Sequence, residues 1–186
     1  MSYIRKYQIG RNRLSMTCSR SPFEREWHIF YLRPRSEGRV HAILTNLNYE
    51  VFWPVTQSIR IWKNRQKKRI KLPLFPGYLF VYTYAHELYS IKSLPQVIHY
   101  VTCGGKPSIL SGKEIEGIRQ MLGLGRTITV ETKFPGRERV RIASGPLKGY
   151  EGVLVHRHSK TLFGIQLRAI SHTILIDISR TELEKL

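Results

Sequence analysis

Few residues in this sequence are spaced for covalent chemistry. Gly112-Lys113 resembles the end of a phosphate-binding loop, but Glu114 follows where a hydroxyl is needed. Pro107 stands where the first glycine should be. Neither a GxSxG turn nor an HExxH pair occurs. The acids are scattered, with no evident pair for general acid–base work. His156 and His158 are two apart in an expected strand and would point the same way, but no carboxylate or cysteine accompanies them. Two polar residues on a solvated face is the simpler reading than a metal site. Cys18 and Cys103 are far apart and form no CxxC, which fits a reducing compartment. No catalytic residue, metal ligand or cofactor is expected, and the chain does not read as an enzyme.

The chemistry the sequence does offer is charge. Its 31 Lys and Arg against 13 Asp and Glu give a formal net charge of +18 over 186 residues. That balance predicts attraction to a polyanion: DNA, RNA or an anionic membrane. A membrane span is set aside, because the longest apolar stretch, Tyr78 to Ala85, is far short of the ~20 residues a span needs. The basic N-terminus has no apolar core of a secretory signal. The excess charge is spread along the chain, with one concentration. Arg60 to Lys71, RIWKNRQKKRIK, holds seven basic residues and no acid. One reading is a solvated ribbon whose lysines prevent edge-to-edge pairing. The other is an arm beside phosphates, where neutralisation releases counterions. On that second reading Lys63, Arg65, Lys67, Lys68 and Arg69 touch nucleic acid, positioning the protein without specifying sequence.

These residues need elements to hold them. Residues 1–25 lack an apolar period and read as a flexible basic arm. WHIFYL, from Trp27, reads as a buried strand ending before Pro34. Val40, Ile43, Leu44 and Leu47 mark one helical face, with Ser36 the expected N-cap. Glu50 to Thr56 reads as a strand interrupted by Pro54, hence at an edge or a strand end. Ser58 to Leu72 reads as a long hairpin. YLFVYTY reads as a central strand, with Tyr78, Phe80 and Tyr82 on one face and Leu79 and Val81 on the other. A short helix is expected at His86 to Leu94, and a strand at Gln96 to Thr102. Ser111 and Glu114 have capping-box spacing before a helix whose stripe is Ile115, Ile118 and Leu122. Residues 123–136 read as a linker. After them, four or five short strands with turn signals suggest a small barrel. The expected class is α+β: an antiparallel sheet with packed helices over 26–122, then an SH3-like β-barrel over 137–186.

The aromatic residues carry two readings. Trp27, Tyr31, Phe75, Tyr78 and Phe80 are ordinary core residues one at a time. Exposed together beside a Pro/Gly turn, they would form an apolar patch for a protein partner. In the barrel region, Gly145, Gly149 and Gly152 are suited to a tight turn that needs φ > 0.

Two segments carry a family resemblance. WHIFYL, the helix, the basic hairpin and Pro73-Leu74-Phe75-Pro76-Gly77-Tyr78-Leu79-Phe80-Val81 resemble the N-terminal domain of the NusG family. Val97-Ile98-His99-Tyr100-Val101, Gly104-Gly105, Pro107 and SGKEIEGIRQML resemble that domain's last third. Phe134-Pro135-Gly136 and Val140 through Gly152 resemble the start of the family's KOW domain. The likeness runs from about Glu26 to Leu186, and the KOW element alone also occurs in ribosomal proteins.

The resemblance implies a non-enzymatic bacterial factor that rides on RNA polymerase. Tyr31, Phe75, Tyr78 and Phe80 match the patch that docks on the clamp helices of the largest subunit. Leu88, Tyr89 and Ser90 match the gate-side loop that bridges the cleft and suppresses pausing. The KOW domain, on this likeness, recruits a second partner such as Rho or a ribosomal protein. PLFPGYLFV and RTELEKL are more similar to the specialised RfaH-type paralogues, which contact the non-template DNA strand and antiterminate. That likeness makes Arg33, Arg35, Arg39 and His41 the candidate DNA contacts. The sequence departs from the RfaH pattern at Pro34 and lacks its His-Thr-Thr run at the gate-side loop. RfaH can hold its C-terminal domain as a helical hairpin, whereas the alternation of Ile174, Ile176 and Ile178 favours strands here. A monomer without membrane association, cytoplasmic and at the nucleoid through polymerase, is the implied setting. A general NusG-type elongation factor and a ribosome- or RNA-binding KOW protein are the alternatives.

Overall fold

The structure, a computed structural model, describes residues 24–61, 67–132, 138–157, 160–178 and 183–185, and only the backbone over 58–61 and 67–69. The arm expected at 1–25 lies outside them up to residue 23, as do Lys63, Arg65 and His158.

The first half is an antiparallel sheet with helices on both faces. β1 (Glu26–Leu32) is the aromatic run, followed by α1 (Glu37–Asn46), β2 (Glu50–Phe52), β3 (Val55–Ile61), β4 (Lys67–Pro73) and β5 (Tyr78–Thr83). A 3-10 turn leads into α2 (Leu88–Lys92). Then come β6 (Val97–Tyr100), the two-residue strands β7 (Thr102–Cys103), β8 (Lys106–Pro107) and β9 (Ile109–Leu110), and α3 (Gly112–Gly123). The main sheet runs β2-β5-β1-β6, with β9 also on β1; β3 and β4 form their own hairpin, and so do β7 and β8. β2 is an edge strand, as Pro54 predicts. The register Ile29↔Phe80, Tyr31↔Tyr78 and Phe52↔Phe80 puts these aromatics on one face. Phe30, Leu32, Leu79 and Val81 face the other way and are buried with Val40 and Leu44 of α1 and Leu88 and Ile91 of α2. The alternation read in YLFVYTY is therefore the division between two cores.

The second half is built of β10 (Ile128–Glu131), β11 (Glu138–Ile142), β12 (Glu151–Arg157), β13 (Lys160–Leu167), β14 (His172–Asp177) and β15 (Leu183–Lys185). They form one antiparallel sheet in the order β10-β14-β13-β12-β11-β15. Phe163, Ile174 and Ile176 lie at 0–1% exposure in its core. This β-rich C-terminal domain bears out the expected α+β class, and residues 172–177 are strand, as the isoleucine alternation favours.

Several local expectations are corrected. Ile128–Glu131 falls inside the stretch read as a linker, yet it pairs with β14, Ile128 opposite Ile176 and Val130 opposite Ile174. Four residues are too few to show a period in the sequence, and their partner is distant along the chain. α3 also runs on through Gly123, into the start of that stretch. Ser36 precedes α1, but its Oγ donates backward to the Arg33 carbonyl at 2.5 Å instead of capping the helix. Leu47 lies one residue past the end of α1, so it leaves the helical register and is 59% exposed. In α3 the capping box forms as read: the Glu114 N–H donates to Ser111 Oγ at 3.2 Å, and the Ser111 N–H to Glu114 Oε2 at 2.7 Å. Met121, rather than Leu122, completes its fully buried stripe with Ile115 and Ile118.

Candidate functional site

The four aromatic residues assigned to docking converge on one side of the main sheet. Tyr31 and Tyr78 are partly exposed, with ring centroids 5.2 Å apart. Phe75 and Phe80 meet edge to face at 5.9 Å, and both are fully buried. The Pro/Gly turn places them. Gly77, at φ +81, takes a conformation that L side chains rarely adopt, and a Cβ there would stand 3.0 Å from Tyr31 Cε2. Its N–H donates to the buried carboxylate of Glu37 at 2.8 Å, tying the turn to the first turn of α1.

Phe75 is covered by the C-terminal domain, while Phe80 packs against Phe52 and Phe75 in the same apolar cluster as α3. The His172 ring of β14 stands edge-on to Phe75 at 5.7 Å and to Tyr78 at 5.6 Å. Its Nδ1 is hydrogen-bonded to the Ile170 carbonyl, which orients the ring. α3 forms the rest of the contact. At Gly117 an added Cβ would lie 2.9 Å from both Ile165 Cδ1 and Tyr150 Cε1. Lys113 Nζ reaches the Gly149 carbonyl at 3.4 Å and lies 5.7 Å over the Tyr150 ring. One continuous apolar cluster runs from Trp27, Phe75 and Phe80 through Ile115 and Ile118 to Ile165, Ile174 and Ile176. Sequence reasoning did not identify Gly117, Tyr150 or His172. A glycine inside an otherwise good helical pattern was the one available signal.

The remaining candidates divide sharply. Leu88, Tyr89 and Ser90 are the first turn of α2 rather than a loop; Leu88 is 3% exposed in the core, whereas Tyr89 is 75% exposed. An apolar residue at the start of a short helix points inward to hold it, so of the three only Tyr89 and Ser90 are exposed. Arg33, Arg35 and Arg39 are exposed. Arg35 has φ +64, an uncommon conformation for a residue with a Cβ. His41 is partly buried 5.9 Å from Trp53, and burial followed by the Lys71 charge lowers its pKa, favouring the neutral ring. These groups belong to α1 and its approach, on the face opposite the C-terminal domain. Lys67, Lys68 and Arg69 lie in β4, paired with β3 along the hairpin. Of the turn glycines, Gly145 (φ +83) and Gly149 (φ +82) use their conformational freedom. Gly152 does not: it is a strand residue where a Cβ would meet the Gly164 carbonyl at 2.2 Å, so it is small because two strands approach closely. Among the described residues, no group of three or more His, Cys, Asp or Glu could hold a metal ion.

The family model described as "Transcription termination factor nusG" matches residues 25–119, the part that holds the Pro/Gly turn and both faces just described. This chain belongs to the NusG family. The "Transcription termination/antitermination protein NusG" of Halalkalibacterium halodurans is 22% identical over 178 residues, spanning 88% of this chain and 99% of that one. That of Helicobacter pylori is 23% identical over 175 residues, 87% and 98% of the two chains. That of Streptococcus pyogenes serotype M1 is 33% identical over 106 residues, 54% and 58%. A solved structure described as "Domain interaction in Thermotoga maritima NusG" superposes with a TM-score of 0.53 at 21% identity, covering 89% of this chain and 99% of that one. That likeness is one of fold, and it extends over both halves of this NusG-family chain. No helix among the described residues is long and apolar enough to cross a membrane.

Proposed function

We infer that this NusG-type transcription factor binds RNA polymerase through the face that carries Tyr31, Phe75, Tyr78 and Phe80, and there suppresses pausing and termination. Its docking target is the clamp helices of the largest subunit. The exposed Tyr89 and Ser90 reach the other side of the cleft, so that the protein bridges it. Arg33, Arg35, Arg39 and His41, together with the basic hairpin, contact the non-template DNA strand. The C-terminal domain, once free, recruits a second partner such as Rho or a ribosomal protein. The protein works by binding in the bacterial cytoplasm, not by catalysis, and the specialised RfaH-type role is the reading preferred over the general one.

The observation that carries this reading is the cover over the aromatic face. Of four aromatics clustered beside a Pro/Gly turn, Phe75 and Tyr78 are covered by the chain's own second domain through His172, next to the Gly117 contact. An apolar face with a removable cover suits a partner that competes for the same surface. Docking then requires the C-terminal domain to leave, and affinity for polymerase is reduced by the fraction of molecules that are closed.

The test is transcription by reconstituted bacterial polymerase across a pause site and a terminator. Added wild-type protein raises read-through, and a Tyr31→Ala/Tyr78→Ala variant, truncated only at partly exposed positions, does not. Equal read-through with both proteins would remove the aromatic face from the account.

A further inference from the structure

Residues 123–136 carry no helical period, yet β10 within them is built like a strand of the C-terminal sheet. Ile128, Thr129 and Val130 are β-branched, which suits a pleated surface. Ile128 lies opposite Ile176 and Val130 opposite Ile174, and both pack against the cluster that holds those isoleucines. Thr129, between them, is exposed. β10 is the end strand of the six-stranded sheet, beside β14.

Both ends of this strand are fastened. Just before it, Arg126 Nη1 donates to the Asp177 carbonyl at the end of β14 at 3.0 Å. At its far end, the Glu131 carboxylate takes both arms of one guanidinium, Arg157 Nη1 at 2.5 Å and Nη2 at 3.1 Å. A bidentate pair fixes geometry as well as charge. Arg157 belongs to β12, which stands beyond β14 and β13 in the sheet, so it grips β10 from a strand that is not its neighbour. The Glu131 side chain is 19% exposed, so salt screens this pair less than a fully exposed one. Each of these partners lies in the C-terminal domain. α3 stands on the other side of the boundary. Its C-cap, Leu124, donates its N–H to the Gln120 and Met121 carbonyls and so stays with the helix. Between Leu124 and Ile128 lie Gly125, Arg126 and Thr127, all exposed. Gly125 has φ +64, and a Cβ there would meet nothing within 4 Å, so the chain can turn at this point without disturbing packing.

We propose that β10 is a clasp that stays on the C-terminal domain when that domain leaves α3, so that opening is a pivot about Gly125 on a short tether. The proposal rests on the reading that the cover over the aromatic face is removable, and it adds how far the cover travels. With β10 docked, Leu124 and Ile128 can separate by no more than roughly 14 Å. With β10 peeled from β14, Leu124 and Glu138 can separate by roughly 50 Å. The short tether holds the C-terminal domain at high effective concentration beside Phe75 and Tyr78, which favours its return. Peeling the strand away lengthens the domain's reach and lowers that concentration.

The experiment is pulsed electron paramagnetic resonance on the whole chain, without polymerase. In a Cys18→Ser background, spin labels are attached at the exposed Cys103 and at Ser144→Cys. The wild type gives one narrow distance. Gly117→Gln broadens it within the range of a short pivot. Adding Ile128→Ser/Val130→Ser/Glu131→Ala to Gly117→Gln extends the long-distance limit by up to roughly 35 Å. Should that combination unfold the C-terminal domain, Arg157→Ala added to Gly117→Gln gives the widening instead. Equal distributions with and without the strand substitutions would overturn the clasp. If Gly117→Gln stays closed, the removable cover fails, and hydrogen exchange then decides the clasp by itself. Arg157→Ala accelerates exchange over Ile128–Glu131 about tenfold and leaves Phe163–Leu167 of β13 unchanged. Unchanged exchange over Ile128–Glu131 in that variant would overturn the proposal.

Discussion

His172 stands between two aromatics of the other domain, its ring edge-on to Phe75 at 89° and to Tyr78 at 74°. Edge-to-face pairs of this kind contribute on the order of 1 kcal/mol beyond their buried area. Together with the apolar contact at Gly117, they join the two domains in this arrangement. Replacing His172 with alanine removes both ring contacts and leaves the strand intact. The expected result is a larger fraction of open molecules, seen as increased hydrogen exchange at Phe75 to Phe80 and a larger radius of gyration. Unchanged exchange there would mean that α3 alone holds the domains together.

Gly117 offers the complementary test. Its buried position on α3 leaves no room for a side chain against Ile165 and Tyr150. Gly117→Gln favours the helix by about 0.5–1 kcal/mol while forcing the contact apart. Opening without loss of stability in the N-terminal domain is expected, because the clash involves only atoms of the C-terminal domain. A variant that unfolds the N-terminal domain as well would show that the two cannot be separated.

Much of this organisation is legible in the sequence, and the remainder fails for a common reason. The alternation of Tyr78, Phe80 and Tyr82 against Leu79 and Val81 is local, and so is the Ser111–Glu114 capping box; both form as read. The glycines at 145 and 149 are likewise legible, since a tight turn imposes its own backbone angles. What the sequence conceals depends on partners far along the chain. Ile128–Glu131 is a strand only because β14 lies beside it. Gly152 is required by Gly164 on the neighbouring strand. The covering of Phe75 by His172 follows from how whole elements pack, which no local period encodes.

A pH dependence follows from His28. It is 2% exposed within β1, with neither ring nitrogen hydrogen-bonded, and burial lowers its pKa from the ordinary 6.5. The folded state therefore resists a proton that the unfolded state accepts. Stability from this group is intact above pH 6.5 and is lost as pH falls below that value toward the folded pKa. His28→Leu removes the unsatisfied nitrogens and should be neutral or stabilising. Urea unfolding at several pH values should show that the variant has a flatter profile between neutral and acidic pH. Parallel profiles would assign the acid sensitivity elsewhere.

The carboxylate of Glu37 predicts a cost at the turn. Glu37→Ala leaves the Gly77 N–H without its partner, a loss of about 1–3 kcal/mol for a buried donor. Because that bond holds the turn, the Tyr31–Tyr78 pair should also loosen, lowering affinity for polymerase beyond the effect on stability. Glu37→Gln, which retains an acceptor, should restore most of both. Denaturant midpoints and polymerase affinity, measured on the same three proteins, separate the two effects.

The most direct measurement is equilibrium binding to reconstituted RNA polymerase elongation complexes by wild type, Gly117→Gln and Gly117→Gln/Tyr78→Ala. If the aromatic face is the docking surface and the C-terminal domain its cover, opening the domains tightens binding by about tenfold, equivalent to ~1.4 kcal/mol. Truncating Tyr78 in the opened protein then reverses that gain. Equal affinity of the wild type and the opened protein, with no effect of Tyr78→Ala, would contradict the account and place polymerase contact on another surface.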